Sequence, residues 1–413
     1  MKRVLMIAYH FPPIQGSSGV HRTVQFARHL PKFGWEPLVV TVHPRAYPAV
    51  GDDPLLGLPE DFIVKRAFAL DSARHLAVQK RYLGLTAIPD RWASWWPGGV
   101  LACLRAIQKY RPQALWSTFP VATAHLIGLT VHRLTGLPWV ADFRDPMLQN
   151  EHPSLPLSRT AYRNLERKIV RHASYCVLMT QSALEDYARR YPGKEASCWQ
   201  VIENGYDESL FEPYDDLPGY NVDKSGKQPI KMVHSGILYA GGRNPLPFLQ
   251  AMRYFVDKGR ADVQVTFRGC GNETQIEKWI TDLGLSDTVK VEPSVSYADA
   301  IKEMIQTDVL IVFQGAMYQK QIPAKVYEYI RAGRPILALT DKYGETARFL
   351  RKWDGVYLGD MESPSEIELA LSRSYNDLKL GKTLVRKAED VMALSRVSGT
   401  KKFAEILFSA AGS

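Results

Sequence analysis

Apolar and polar positions follow one another in a recurring order along this chain: a short unbroken apolar run, a loop of turn formers, then a stretch at helical spacing. Val4, Leu5, Met6, Ile7 and Ala8 form the first run, the pattern of a central parallel strand covered on both faces. A loop rich in Pro, Gly and Ser follows, from Phe11 to Gly19. Val20, Val24, Ala27 and Leu30 then recur near helical spacing, with a stop at Phe33-Gly34. Residues 35–42 predict a second strand, and residues 113–117, 139–142 and 175–179 predict three more between helical stretches. The first half therefore reads as an alternating βα domain.

A second alternation begins after Glu203-Asn204-Gly205-Tyr206. Residues 212–229, rich in Pro, Gly and Asp, suit a linker or a surface excursion. Residues 231–236 then resemble a fresh first strand, and residues 264–268, 289–291, 309–313 and 335–339 predict further ones. A closing helical stretch over about 383–411 would cross back and brace both domains. The fold class predicted is α/β: two Rossmann-like βαβ domains facing across a cleft, with the site at the C-terminal strand ends. The domain bounds expected are 1–205, 206–385 and a C-terminal helix over 386–413 packing toward the first domain.

A length of 413 residues suits two domains of roughly 200 each. The 46% apolar and 23% charged residues are the composition of a globular protein. No apolar run reaches the roughly 18 residues that a membrane span needs. The basic, apolar start leads into Pro12-Pro13 without a small-residue cleavage site, so it reads as a buried strand rather than a signal peptide, and the protein as cytoplasmic. Cys103, Cys176, Cys198 and Cys270 lack C-x-x-C spacing, and the ten histidines lack ligand spacing, so reduced thiols and no metal site are expected. The net charge of +9 is uneven: residues 1–205 hold 25 Lys/Arg against 15 Asp/Glu, and the rest 27 against 28. The basic half suits an anionic partner or is simply a soluble basic surface.

Chemistry concentrates in the loops after strands. Gly16-Ser17-Ser18-Gly19 opens a helix, whose N-terminus offers free N–H groups to a diphosphate; a plain tight turn is the alternative. Thr41-Val42-His43 supplies no acidic residue to hold a ribose, which argues against a dehydrogenase, and no P-loop spacing occurs. Gly236 to Pro245 combines glycines with Arg243, and Gly269 follows the next recognisable strand. Lys325 and Glu328 stand at i, i+3 near the start of a helix that Gly333 ends. That places a cation for a phosphate and a carboxylate for a ribose diol one turn apart, where the plainer reading is a surface salt bridge. Asp142, Arg144 and Asp145 end a strand; an Asp142–Arg144 pair tying down the loop is the alternative to a catalytic role. His125, in ATAHLIGL, suits packing or capping.

At these residues the sequence resembles retaining glycosyltransferases of family 4, which have the GT-B fold. YHFPPIQGSSGVHR resembles that family's first strand, glycine loop and helix. VIENGYD is similar to its hinge, GILYAGGRNPLPFLQAM to the start of its donor domain, and KVYEYIRAGRPILA to its signature helix and strand. The resemblance implies that Glu328 binds the ribose, that Arg243 binds the diphosphate, and that Gly16, Ser17, Gly236 and Gly269 border the nucleotide-sugar. Asp142, Arg144 and Asp145 match a D-x-R-D-P run found in a subset of such enzymes. Two departures stand out. Lys320 occupies the position of the first glutamate of the E-x7-E pair, and Asn244-Pro245 replaces the lysine that commonly follows the arginine, a charge that Lys325 would supply.

The expected reaction is retaining, metal-independent and without cofactor: transfer from a UDP-sugar to a saccharide or lipid-linked acceptor in cell-surface polysaccharide synthesis. Fixed cations and helix dipoles would stabilise the leaving diphosphate. Arg81, Arg91, Trp92, Trp95 and Trp96 gather within residues 81–97, which suits either attachment to the inner face of the plasma membrane or a buried aromatic cluster. A nucleotide-sugar epimerase of the same fold and a degenerate binding or scaffold subunit are the rival functions. A nucleic-acid binder fits the charge but not the paired glycine loops and Glu328.

Overall fold

Thirteen strands form two all-parallel sheets in the computed structural model, which describes residues 1–15, 19–53, 55–79, 81–149, 153–215, 228–239 and 241–412. The chain divides into two units, Met1–Glu203 with Arg396–Ser413, and Asn204–Ser395. Most of the expected linker, residues 216–227, lies outside the described residues.

The first unit holds β1 (Lys2–Ile7), β2 (Trp35–Val42), β3 (Val64–Ala67), β4 (Ala114–Thr118), β5 (Trp139–Arg144), β6 (Tyr175–Leu178) and β7 (Trp199–Val201). Their order in the sheet is β3-β2-β1-β4-β5-β6-β7. Val4 to Ile7 and Ala114 to Trp116 have no accessible surface, because helices cover both faces of these central strands. The charged β3 (VKRA) and the three-residue β7 escape the sequence pattern; both are edge strands with mixed burial. The four cysteines are free thiols, three of them buried.

The second unit repeats the plan with β8 (Ile230–Ser235), β9 (Val263–Arg268), β10 (Val289–Glu292), β11 (Val309–Gln314), β12 (Ile336–Thr340) and β13 (Val356–Gly359). The order is β10-β9-β8-β11-β12-β13. In each sheet the chain builds outward from its first strand on one side and then returns to build on the other. The carbonyl ends therefore part beside β1 and beside β8, where ligands of such sheets bind.

The C-terminal segment departs from the expected bounds. The final helix is Arg396–Gly412, and residues 386–395 belong to the second unit. Arg386 fixes them there by donating to the carbonyls of Ile330 at 3.2 Å, Arg334 at 3.0 Å and Asp354 at 3.0 Å. A cation satisfies the carbonyls at the end of the helix Ala324–Arg331, and a short helix, Ala388–Met392, follows before the final one. From Arg396 onward Phe403, Ala404, Leu407 and Ala410 form a buried stripe. Phe403 lies 4.6 Å from the ring of Phe26 and 5.8 Å from that of Trp116. Phe403→Ala should therefore cost about 3–5 kcal/mol of stability, read by urea unfolding of the intact chain. A loss under about 1 kcal/mol would show that the terminal helix is not part of the first unit's core.

Candidate functional site

Beside β8 the second sheet opens at its carbonyl ends, and the residues singled out in this half gather there. β8 ends at Ser235 and is followed by Gly236 at φ +116°, a conformation that side chains rarely adopt. A Cβ on Gly236 would lie 2.8 Å from Lys325 Nζ, the movable end of that side chain, so it is the backbone angle that calls for glycine. Lys325 stands in the first turn of the helix Ala324–Arg331, and its ammonium donates to the Ser235 carbonyl. Burial, reinforced by Arg243 and opposed by Glu328, pushes the Lys325 pKa down to about 7.

Arg243 donates through Nε and Nη2 to Gln314 Oε1 at the end of β11, at 3.3 and 3.1 Å. The rings of Tyr239 and Tyr318 flank its guanidinium at 5.5 and 5.7 Å. Glu328, one turn after Lys325 and nearly buried, accepts a hydrogen bond from the Tyr297 hydroxyl. Gly269 follows β9 at φ +56°, where a Cβ would lie 3.0 Å from that of Ser294. Gly236 N–H donates to the Arg268 carbonyl at 2.9 Å, so the two glycine loops are neighbours. Lys320 is exposed in the loop after β11.

His234 was not singled out by the sequence. It is fully buried in β8, with Nδ1 2.9 Å from the Ile311 carbonyl and Nε2 3.0 Å from that of Gly236. Burial and the nearby Lys325 hold the imidazole neutral, its pKa well below the usual range. A neutral ring carries one N–H, so it donates to one of these two carbonyls, on β11 or in the loop after β8. Among the described residues neither Lys325 nor Arg243 is in an ion pair; their hydrogen-bond partners are a carbonyl and an amide oxygen. Two cations thus stand close together with neutral hydrogen-bond partners, and Glu328 offsets part of their charge.

In the first unit the strand-end charges are arranged differently from either expectation. Asp142 is fully buried and accepts two hydrogen bonds from Arg22, Nε to Oδ2 at 2.8 Å and Nη2 to Oδ1 at 3.1 Å. Its partner is Arg22, not Arg144, and a carboxylate so enclosed cannot meet a substrate. The structure thus sets Asp142 in a buried pair with Arg22 rather than at an open edge. Removing one side of such a buried pair typically costs about 3–5 kcal/mol, which marks its structural weight.

Arg144 follows a break in the β5–β6 register and adopts φ +58°, strained for a residue with a side chain. That kink turns its guanidinium toward the glycine loop, where Nη1 donates to the Gly19 carbonyl at 3.3 Å. Arg144 Nε is buried with no hydrogen-bond partner among the described residues. Burial and Arg22 lower the pKa of Arg144, and burial raises that of Asp145. His10, just past β1, is pushed down to about 4 by burial and by Arg144. Gly16 and Ser17 lie outside the described residues. Arg22 and His10 were missed by sequence reasoning, though their places beside the first strand's carbonyl end were a usable signal.

Other candidates fall into the core. His125 is buried, bonded to Ser117 Oγ at 2.7 Å, and packs on Phe143. Trp95 is buried, and Trp92 packs on Tyr9 at 4.5 Å, while Trp96 is 42% exposed. Arg91 is ion-paired with Asp71. No helix among the described residues is long and apolar enough to cross a membrane.

No curated protein sequence matches the chain. Residues 18–205 match the glycosyl transferase 4-like domain family. Among solved structures, HepE from Anabaena in complex with UDP superposes with a TM-score of 0.65 at 16% identity, covering 99% of this chain and 100% of that one. Sucrose-phosphate synthase from Thermosynechococcus elongatus gives 0.60 at 13% identity, covering 100% and 96%. The putative UDP-N-acetylglucosamine 2-epimerase from Listeria monocytogenes gives 0.59 at 14% identity, covering 99% and 96%. At such identities the likeness shows the fold. The chain therefore has the GT-B fold of these proteins, and its residues 18–205 are similar to the glycosyl transferase 4-like domain family.

Proposed function

We propose that this protein transfers a sugar from a UDP-sugar to a saccharide or lipid-linked acceptor in cell-surface polysaccharide synthesis, with retention of configuration. One observation carries the reading: Gly236, Arg243, Lys325 and Glu328 meet at the carbonyl ends beside β8, with both cations partnered only by neutral groups. The glycosyl transferase 4-like match over residues 18–205 and the UDP complexes of HepE support it.

In this reading the diphosphate lies against Gly236 and between Arg243 and Lys325, and Glu328 receives the ribose hydroxyls. The bond from sugar C1 to the β-phosphate oxygen breaks, and the acceptor oxygen bonds C1 on the same face. The acceptor's proton passes to the departing phosphate oxygen. Charge developing on that oxygen is met by the two fixed cations, so the chemistry asks for no metal or cofactor. The first unit takes the acceptor, with Arg144, Asp145 and His10 as its polar edge. Exposed Trp96 and Leu101 on the helix Trp95–Tyr110, with exposed Phe68 against Gly98, support attachment to the inner face of an anionic membrane. Failure to sediment with phosphatidylglycerol vesicles at low salt would remove that part of the reading.

The Listeria neighbour's description keeps an epimerase as the second reading; conversion of a nucleotide sugar with no acceptor present would establish it. In a thermal-shift screen, UDP-sugars should raise the melting temperature more than GDP-, dTDP- or ADP-sugars, and Glu328→Ala should abolish the shift. No shift with any of them would favour a non-catalytic scaffold.

Lys325 gives the site a pH dependence with a definite sign. Its ammonium is charged below about 7 and neutral above, and a diphosphate favours the charged form. UDP affinity should therefore fall as pH rises through that value, with proton uptake on binding. Lys325→Met should lose both the pH dependence and about tenfold in affinity. Titration calorimetry in two buffers of different ionisation enthalpy checks this; equal proton uptake in both proteins would contradict it.

A further inference from the structure

On the flank of the first unit, a groove of about 670 Å³ lies between the helix Pro156–His172 and the end of the helix Gln181–Arg190. Its walls come from Arg163, Arg167 and Arg171 on one side and Arg190, Tyr191 and Lys194 on the other. The three arginines of the first helix stand at i, i+4 and i+8, a row about 12 Å long. All three are exposed, and none has a hydrogen bond or ion pair among the described residues.

Like charges at i, i+4 destabilise a helix, so the fold gains nothing from this row. The same helix carries one acid, Glu166, and its carboxylate is fully buried and occupied. It accepts from Arg190 at 2.9 Å and from the hydroxyls of Tyr187 and Tyr191, each at 2.7 Å. Asp186 pairs with Arg190 at 3.4 Å. Arg190 is thereby held over the Tyr187 ring at 4.2 Å, and the Lys194 ammonium is anchored on the Ala173 carbonyl. The far wall is thus rigid and its acids are consumed, while the near wall presents three arginines unmatched. Leu148, Val170 and Pro192 supply an apolar lining between them.

We propose that this groove binds a phosphate-bearing ligand, with Arg163, Arg167 and Arg171 holding the phosphate and Leu148 and Val170 receiving the apolar part next to it. Guanidinium groups recognise phosphate oxygens in a bidentate manner, and a row of them suits a diphosphate or a phosphorylated headgroup better than a single carboxylate. The groove is built by the first unit alone, whereas β8 and its cations belong to the second, so the proposal does not rest on the assignment of a sugar donor.

The test uses the full chain with saturating UDP, so that the second unit's anion site is filled or, if it binds nothing, plays no part. Pyrophosphate is titrated calorimetrically, and sedimentation with phosphatidylglycerol vesicles forms a parallel arm. Arg163→Gln with Arg167→Gln should weaken one or both by about tenfold or more, with the melting temperature unchanged. Loss in the pyrophosphate arm identifies a soluble phosphate compound as sufficient; loss in the vesicle arm alone identifies a lipid headgroup. Lys401→Gln with Lys402→Gln, an equal change of charge at exposed positions of the terminal helix, serves as the control. Equal behaviour of the arginine variant and the wild type in both arms overturns the proposal, and so does an equal loss in the lysine control.

Discussion

A parallel sheet can be continued only through a crossover, and that crossover is right-handed. This constraint underlies each feature of the protein that bears on function. Together with the need to cover both faces of the sheet with helices, it has each unit build outward from its first strand and then return to the other side, so β1 meets β4 and β8 meets β11. At those two places the loops part in opposite directions. The chain leaves backbone N–H groups and helix starts around an open carbonyl edge. Gly236 and Arg243 come from the loop after β8 and Lys325 from a distant helix, yet the reversal delivers them to one spot.

The two units use their charges in opposite ways there. In the first, Arg22 is cancelled by Asp142, a buried pair that holds β5 to the helix Gly19–His29 and carries little net field outward. In the second, Lys325 and Arg243 rest on a carbonyl and an amide oxygen, which orient them without neutralising them. Burial, with Arg243 close by, lowers the Lys325 pKa, and Glu328 offsets only part of that. Such a site is costly when empty and rewarding when an anion enters. That is the electrostatic form of preorganisation.

The central strands and the two-unit plan were legible in the sequence because parallel strands buried on both faces are written as unbroken apolar runs. β3, β7 and β13 were not, since short edge strands need only partial burial and carry no such signature. The helix carrying Lys325 and Glu328 could be read from Pro323 and Gly333, local signals within one segment. The role of Asp142 could not, because its partner Arg22 lies 120 residues away and either of two arginines would have fitted the pattern. His234 was hidden for a related reason: a histidine inside an apolar strand is defined by the carbonyls it meets, and these belong to β11 and to the loop after β8. The final helix began ten residues late because Arg386 found helix-end carbonyls within the second unit, a contact that periodicity does not encode.

The central claim is that the cations beside β8 hold a nucleoside diphosphate. A crystal structure of the protein grown with UDP tests it most directly. The account predicts phosphate oxygens within hydrogen-bond distance of Arg243 and Lys325, and ribose hydroxyls on Glu328, with the Lys325 ammonium withdrawn from the Ser235 carbonyl. UDP bound elsewhere, or bound here with Lys325 still on that carbonyl and Glu328 still on Tyr297 alone, would contradict it.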